Sequence, residues 1–378
     1  MGRSAATRPQ TLEDWQPEPD DDRFRFVTGR RPVVEAVFAA VAQASPGVTI
    51  RRGVRVAALS TGASANGGTP HVTGVRTNGG ELLAADLVVD ATGRRSRSAE
   101  WLAEIGAHLP PAESQDGGFA YYTRYFGGPV RPQRRAAGVS PLGSISVLTL
   151  DGDNDTWAVT LFGRSRDTPL KELRSPEVFD RVVADCPRHA HWLDSRPLTD
   201  VVVMAGVLDR HQPFVTGDRP VVTGFLPVGD AWACTNPSAG RGISMGMGQA
   251  QVLRRAVAEH LDRPARLVRA YAAATRGDVE PFYRAQWSAD RVRLTEMAAA
   301  AGEGPPAGPP SPMTALLGAG MTDQVALRAF LEAFVCLALP DEVFSRPEVV
   351  AALERHGPSG PPPVPGPDRA RLLELLGA

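Results

Sequence analysis

The chain has 378 residues, 43% of them hydrophobic, which is enough to bury a core and suggests two or three domains. Its formal net charge is −1, so there is no basic excess to hold nucleic acid and no acidic solvating tail. The three cysteines, Cys186, Cys234 and Cys336, lie far apart without a C-x-x-C, which argues against a disulfide framework or zinc ribbon and fits a reducing, cytoplasmic setting.

The N-terminus is polar and acidic, without the apolar stretch of a secretory signal. No apolar run reaches the ~18 residues that a membrane span needs. Residues 1–22 are aperiodic and Pro-containing, and are expected to be disordered. From Arg31 a helical pattern begins, with Val33, Val34, Val37, Phe38 and Val41 recurring at three- and four-residue steps and Pro32 in the first turn. Residues 48–59 are β-branched and read as a strand. Residues 71–93 read as a hairpin with its turn at Asn78-Gly79, leading into the short apolar strand Leu87-Val88-Val89.

The middle of the chain is β-rich. Residues 119–126, 144–150, 156–162 and 200–208 are strand candidates, interrupted by a helix near 175–185, and together suggest an antiparallel sheet with one buried face. Residues 221–230 read as a strand and turn, and 233–242 as a loop. A helix then runs from Ile243 to His260 with Ile243, Met247, Ala250, Leu253 and Val257 as its apolar stripe. Helices are expected over 265–300, 313–338 and 342–355, joined by the Pro-rich connectors 302–312 and 357–367. Lys171 is the sole lysine, so lysine chemistry has almost no candidate.

Two segments carry chemistry. In the first, residues 87–96, an apolar strand runs directly into Ala91-Thr92-Gly93, where glycine permits close backbone approach to a ligand beyond the strand end. The second is stronger. In residues 227–250 a strand ends at Gly229-Asp230, a Pro/Gly loop follows, and Gly240-Arg241-Gly242 opens a helix. An Asp at a strand end can accept hydrogen bonds from sugar-like hydroxyls, and the helix N-terminus offers unpaired N–H groups.

These residues resemble the motifs of FAD-dependent oxidoreductases of the para-hydroxybenzoate hydroxylase-like (aromatic hydroxylase) superfamily. Gly229, Asp230, Ala231, Pro237, Gly240 and Gly242 match its Gly-Asp motif, and Asp90-Ala91-Thr92-Gly93 is similar to its Asp-Gly motif. Arg31-Pro-Val-Val resembles its R-x-x-L helix. The resemblance covers about residues 25–260. It implies that Asp230 meets the ribityl chain, that Gly240 and Gly242 meet the flavin and pyrophosphate, and that Arg31, Thr92, Gly93, Gly229 and Pro237 complete the cofactor side. It implies an α/β fold: a partial FAD-binding Rossmann-like domain (23–97 and 217–262), an inserted antiparallel β substrate domain (98–216) and a helical C-terminal region (263–378). The implied cofactors are FAD, with NAD(P)H as reductant, and the implied reaction is oxygen transfer to a small, electron-rich organic substrate. One face of the inserted sheet would line the substrate pocket, with Tyr122 and Arg124 as its test residues. The chemistry belongs to the cofactor, so no catalytic acid or base is assigned. The oligomeric state is not legible.

Three departures stand out. Ala233 replaces a histidine of many members. Thr92 replaces the Asp of many hydroxylases, bringing the motif closer to other flavin oxidoreductases. The sequence holds no G-x-G-x-x-G, so the first βαβ unit of roughly 30 residues is expected to be missing, with poor FAD retention as the consequence.

Other readings stay open. A flavin-dependent dehydrogenase or reductase fits Ala91-Thr92-Gly93. A halogenase shares the fold, although its W-x-W-x-x-I-P signature is absent and Trp157-Ala-Val-Thr-Leu stands at the candidate strand. A non-catalytic remnant is the class-level alternative. Gly242-Ile-Ser244-Met-Gly246, followed by Asp341 and His356, fits the chain order of a serine hydrolase but lacks a strand running into the serine turn. Cys186, His189 and His191 have no fourth ligand, so no metal site is expected.

Overall fold

The computed structural model describes residues 2–4, 15–64, 68–116, 118–306 and 308–378. It separates into two compact units. One comprises Met1–Val48, Gly118–Val207 and Ala289–Ala378, the other Thr49–Gly117 and Leu208–Ser288.

The first unit is built on an antiparallel sheet of six strands. Their order is Arg196–Pro197, Phe119–Gly127, Thr156–Arg164, Ile145–Asp151 and Val139–Leu142, with Val202–Ala205 also pairing on Phe119–Gly127. The pairing of Tyr122 with Leu161 and of Arg124 with Val159 fixes which side chains share a face. Tyr122, Phe126, Val159 and Leu161 face a core closed by Phe179, Val182 and Val183 of the helix Pro176–Ala184 and by Leu372 and Leu376 of Arg369–Leu376. That last helix was not foreseen. Trp157 is 2% exposed and donates its indole N–H to the Trp192 carbonyl at 2.9 Å, so its polar edge is satisfied inside the core. Phe119, Tyr121 and Phe162 point to the opposite face, where Leu294 and Met297 cover them.

The sequence reading of Tyr122 and Arg124 as pocket residues is therefore corrected. Both lie on the face packed against the helices Pro176–Ala184 and Arg369–Leu376, 3% and 8% exposed. Arg124 is spent on Asp180 Oδ2 at 2.6 Å and on the Thr199 carbonyl at 3.2 Å.

The helices of this unit form where periodicity placed them, with two refinements. The expected helix 313–338 is two, Pro312–Ala319 and Gln324–Phe334, and 342–355 resolves into Pro340–Phe344 and Pro347–His356. Asp323 caps the second, accepting from the Val325 and Ala326 N–H groups. Within the segment expected to be disordered, Gly2–Ser4 pairs with Phe26–Thr28 and Pro19–Phe24 makes a 3₁₀ turn. The 3₁₀ turn is held electrostatically: Arg328 binds Asp21 at 2.9 Å and the Gln16 carbonyl at 2.6 Å, and Arg23 reaches Glu332 at 2.5 Å. The Arg31–Ala44 helix forms, yet none of its residues is buried, and Val37, Phe38 and Val41 are 42%, 47% and 61% exposed.

In the second unit the hairpin is Val72–Thr77 with Leu82–Ala84, and Val56–Thr61 pairs on its other edge. The expected strand 48–59 thus forms only from Val56 onward. The turn is one residue longer than Asn78-Gly79: Gly80 takes the left-handed conformation at φ 82° and its N–H returns to the Thr77 carbonyl. Val88–Asp90 pairs in parallel with Phe225–Pro227, and a parallel bridge joins His71 to Thr223. Parallel pairing in this unit is confined to those contacts among the described residues, so the expected partial Rossmann-like domain shows a two-stranded parallel core.

The unit boundaries also differ from those read in the sequence. Residues 23–48 group with the large sheet because the Arg30 backbone N–H and guanidinium both bind Asp153, at 2.7 and 2.6 Å, in its strand turn. The helix Pro264–Asp278 groups with the second unit because Leu267, Val268 and Tyr271 pack with Leu226 and Val252, and the Tyr271 hydroxyl donates to the Pro227 carbonyl at 2.8 Å.

His189, 1% exposed against Ser140, has its pKa pushed down from the usual 6.5 to about 4 by burial, with the His191 and Arg134 charges adding to this. The unfolded chain therefore binds a proton that the folded chain refuses between those values. His189 contributes stability that is fully present above pH 6.5 and lost as pH falls toward 4. Urea midpoints measured across that window should decline with acidity, and His189→Gln should make the decline shallower. An unchanged slope in that variant would assign the effect elsewhere.

Candidate functional site

Two strand ends build the site, both in the second unit. Val88–Asp90 and Phe225–Pro227 run side by side, and the Val228 N–H donates to the Asp90 carbonyl at 2.9 Å. Each strand then turns at a glycine in the left-handed region, Gly93 at φ 77° and Gly229 at φ 61°. A Cβ on Gly93 would lie 4.0 Å from the Asp230 Cβ, so the two turns meet.

Asp90, 3% exposed, organises the first turn. Its Oδ1 accepts from the Thr92 N–H at 2.9 Å and the Thr92 hydroxyl at 2.6 Å, while its Oδ2 accepts from the Ser96 hydroxyl. Ser96 Oγ in turn accepts from the Ser98 N–H at 3.0 Å. The Thr92 hydroxyl is thereby committed to holding its own loop.

The second turn continues through Pro237–Ala239, a 3₁₀ turn, and Gly240 at φ 66° into the helix Gly242–His260. Buried Asp209 steadies the loop by accepting the Asn236 N–H at 2.7 Å. Gln286 steadies it from the other side, accepting from Arg241 at 2.5 Å and donating to Ser238 Oγ at 2.9 Å. Arg210 donates to the Asp230 carbonyl at 3.2 Å. Gly229, Asp230, Trp232, Gly242, Met245 and Gln249 line one shallow cleft. A Cβ on Gly229, Gly240 or Gly242 would meet no atom within 4 Å, so these backbones face open space. Behind Trp232, the His211 ring stands edge-on at 5.2 Å. Arg284 holds the neighbouring Glu113 carboxyl down to about 2, and burial pushes His211 down.

Thr92, Gly93, Gly229, Asp230, Pro237, Gly240 and Gly242 thus fall in one unit, and the two turns are joined. Arg31 does not join them within a unit. It lies on the exposed first turn of its helix in the first unit, donating to Glu35 at 2.6 Å. Asp209, Gln286 and Gln249 escaped the sequence reading. Only Gln249 left a signal there, as a polar residue in a helix read for its apolar stripe.

That stripe is corrected in part: Leu253 and Val257 pack half-buried against the core. The helix buries Gln249, Val252 and Ala256, whereas Ile243 and Met247 are 54% and 50% exposed. The other motifs resolve plainly. Ser244 sits inside the helix, with no strand running into it, and belongs to a different unit from Asp341 and His356. His356 faces Asp323 at 3.6 Å. Cys186 donates to the Val182 carbonyl, and no group of metal-ligating side chains occurs among the described residues.

No model of a known protein family matches the chain. Protein Rv3254 of Mycobacterium tuberculosis is 32% identical over 186 residues, which is 47% of this chain but 38% of that protein's length. The structure of PqsL, a probable FAD-dependent monooxygenase from Pseudomonas aeruginosa, superposes with a TM-score of 0.58 at 15% identity, covering 74% of this chain and 73% of that one. The flavin-dependent brominase Bmp2 gives 0.50 at 17% identity, over 70% of this chain and 65% of that one. The Diels-Alderase PyrE3 of the pyrroindomycin pathway gives 0.51 at 18%, over 77% and 57%. The chain has the fold of FAD-dependent oxidoreductases of the aromatic-hydroxylase type. These identities establish the fold alone.

Removing the Asp90 carboxylate would take its acceptor from the Thr92 N–H and from the Thr92 and Ser96 hydroxyls. Asp90→Ala should lower unfolding stability by about 1–3 kcal/mol. Asp90→Asn, which keeps one acceptor oxygen, should lose less. Equal losses in denaturant titration would deny the carboxylate this organising role.

Proposed function

We propose that the chain carries part of the FAD site of a flavin-dependent oxidoreductase, and that the whole protein is an NAD(P)H-linked monooxygenase acting on a small, largely apolar organic substrate. One observation carries the reading: Asp230 and the glycines at 93, 229, 240 and 242 converge in one unit with open space over three of those backbones. The fit with a flavin nucleotide is chemical. Asp230 suits sugar-like hydroxyls, the start of Gly242–His260 suits an anionic or electron-rich group, and exposed Ile243 and Met247 offer apolar surface beside it. When bound, the flavin would supply the redox chemistry; the protein would orient it and exclude water.

On the sheet of the first unit, the substrate side is assigned to the part of the face opposite Tyr122 that Leu294 and Met297 leave uncovered. It presents Thr123 and Tyr125, with Thr123 and Thr160 hydroxyls 2.8 Å apart, and the exposed side chains of Leu150, Val202 and Met204. Hydroxyl and apolar groups in this array suit a planar substrate of low charge.

Halogenation is the second reading, favoured by the likeness to Bmp2. Assays of NAD(P)H oxidation with a phenolic substrate, with and without bromide, separate hydroxylated from brominated product.

Titration of the full chain with FAD tests the cofactor. Weak but measurable quenching of flavin fluorescence is expected, and Asp230→Ala should raise the apparent Kd about tenfold or more, the scale of one hydrogen bond to a charged group. Absence of any spectral change at high protein concentration would sink the flavin assignment.

A further inference from the structure

One buried polar side chain next to the Gly-Asp turn has a donor without a protein partner. Gln249 lies 20 residues beyond Gly229, is 1% exposed, and lines the same cleft as Asp230. Its Oε1 accepts the Gly229 N–H at 2.7 Å, and its Nε2 has no protein partner. One turn earlier on the same helix, Gly246 stands against the same residue: a Cβ there would lie 3.8 Å from the Gly229 Cα.

Gly229 needs such a seat. It leaves the strand in the left-handed conformation, so its N–H points away from the strand partner. Half-buried, that donor gains from an acceptor, because an unmade hydrogen bond costs more than a made one yields. Backbone amides of the helix cannot serve, since their carbonyls are taken by the helix itself. A side-chain amide reaching out from the helix supplies the acceptor, and its long stem fixes the spacing between helix and turn.

We propose that Gln249 is a positioning residue: it pins Gly229 to the Gly242–His260 helix, and so sets where Asp230 presents its carboxylate to a bound flavin nucleotide. The claim rests on the flavin reading of the cleft. The Gln249 amide donor has no protein acceptor. The roles of the two amide atoms are fixed, because the Gly229 N–H can only donate and must meet the oxygen.

Three variants of the full chain test it by two readouts. Gln249→Met keeps length and removes the acceptor. Gln249→Glu keeps the acceptor. Gly246→Val leaves Gln249 intact but crowds the seat, which covers the case that Gln249→Met does not fold. Amide hydrogen exchange on the FAD-free chain reads the pin, and FAD fluorescence titration reads its consequence. Gln249→Met and Gly246→Val should accelerate exchange at residues 229–231 by about tenfold or more, with exchange at residues 72–77 unchanged, and should weaken FAD by a comparable factor. Gln249→Glu should restore both. Unaltered exchange at 229–231 in both Gln249→Met and Gly246→Val would overturn the pin. Faster exchange with FAD affinity equal in all variants would make the contact structural only and overturn the positioning role. If the unmodified chain takes up no FAD, the flavin reading fails by itself, and the positioning role falls with it, while exchange still decides the pin.

Discussion

The parallel contact between Val88–Asp90 and Phe225–Pro227 is the constraint on which the rest of the candidate site depends. It brings together two segments separated by more than a hundred residues and sets their ends level, because the Val228 N–H closes on the Asp90 carbonyl. The strands are short, and only Phe225–Pro227 is buried along its whole length. Gly224 shows how tight that fit is. A Cβ there would stand 2.0 Å from the Val72 carbonyl oxygen, and its φ of 72° lies where side chains are strained. Only glycine lets the Val72–Thr77 strand approach so closely, and that approach lets the Val72 N–H reach the Thr223 carbonyl at 2.8 Å. The antiparallel hairpin thereby braces the parallel pair.

From those strand ends the chain solves one problem twice. Each turn must satisfy backbone N–H groups that have left a sheet, in a place where glycine keeps the backbone bare. The first turn uses a carboxylate within the loop, Asp90. The second borrows acceptors from outside, Asp209 for the Asn236 N–H and Gln249 for the Gly229 N–H. The difference follows from length. Residues 90–96 are close enough for one carboxylate to gather them, whereas 229–242 is long and must be tied down at several points.

The same distinction explains what the sequence could reveal. Asn78-Gly79, Gly93, Gly229-Asp230 and Gly240 were legible because a turn depends on local backbone geometry, and glycine reports that directly. Helix positions were legible from their period. Burial was not. Ile243 and Met247 follow the helical spacing as well as Val252 and Ala256 do, and nothing in the period says which side meets Leu226 and Tyr271. Valines in the Arg31–Ala44 helix obey the pattern and remain exposed. Gln249 was passed over for the complementary reason: its burial is dictated by the needs of a donor twenty residues away.

The six-stranded sheet turns on parity of the same kind. Tyr121 and Tyr122 are neighbours of one type, yet they face opposite ways, and sequence alone gives both the same standing. Register decides. Leu161 opposite Tyr122 and Phe162 opposite Tyr121 divide the strand into a side packed on Phe179 and Val182 and a side bearing Thr123 and Tyr125. Arg124 then locks the choice, since its pair with Asp180 would be broken by a slip of one residue, which would place a guanidinium among Phe162 and Met297 without a partner. The pair between Arg124 and Asp180 thus fixes which side of the strand bears Thr123 and Tyr125.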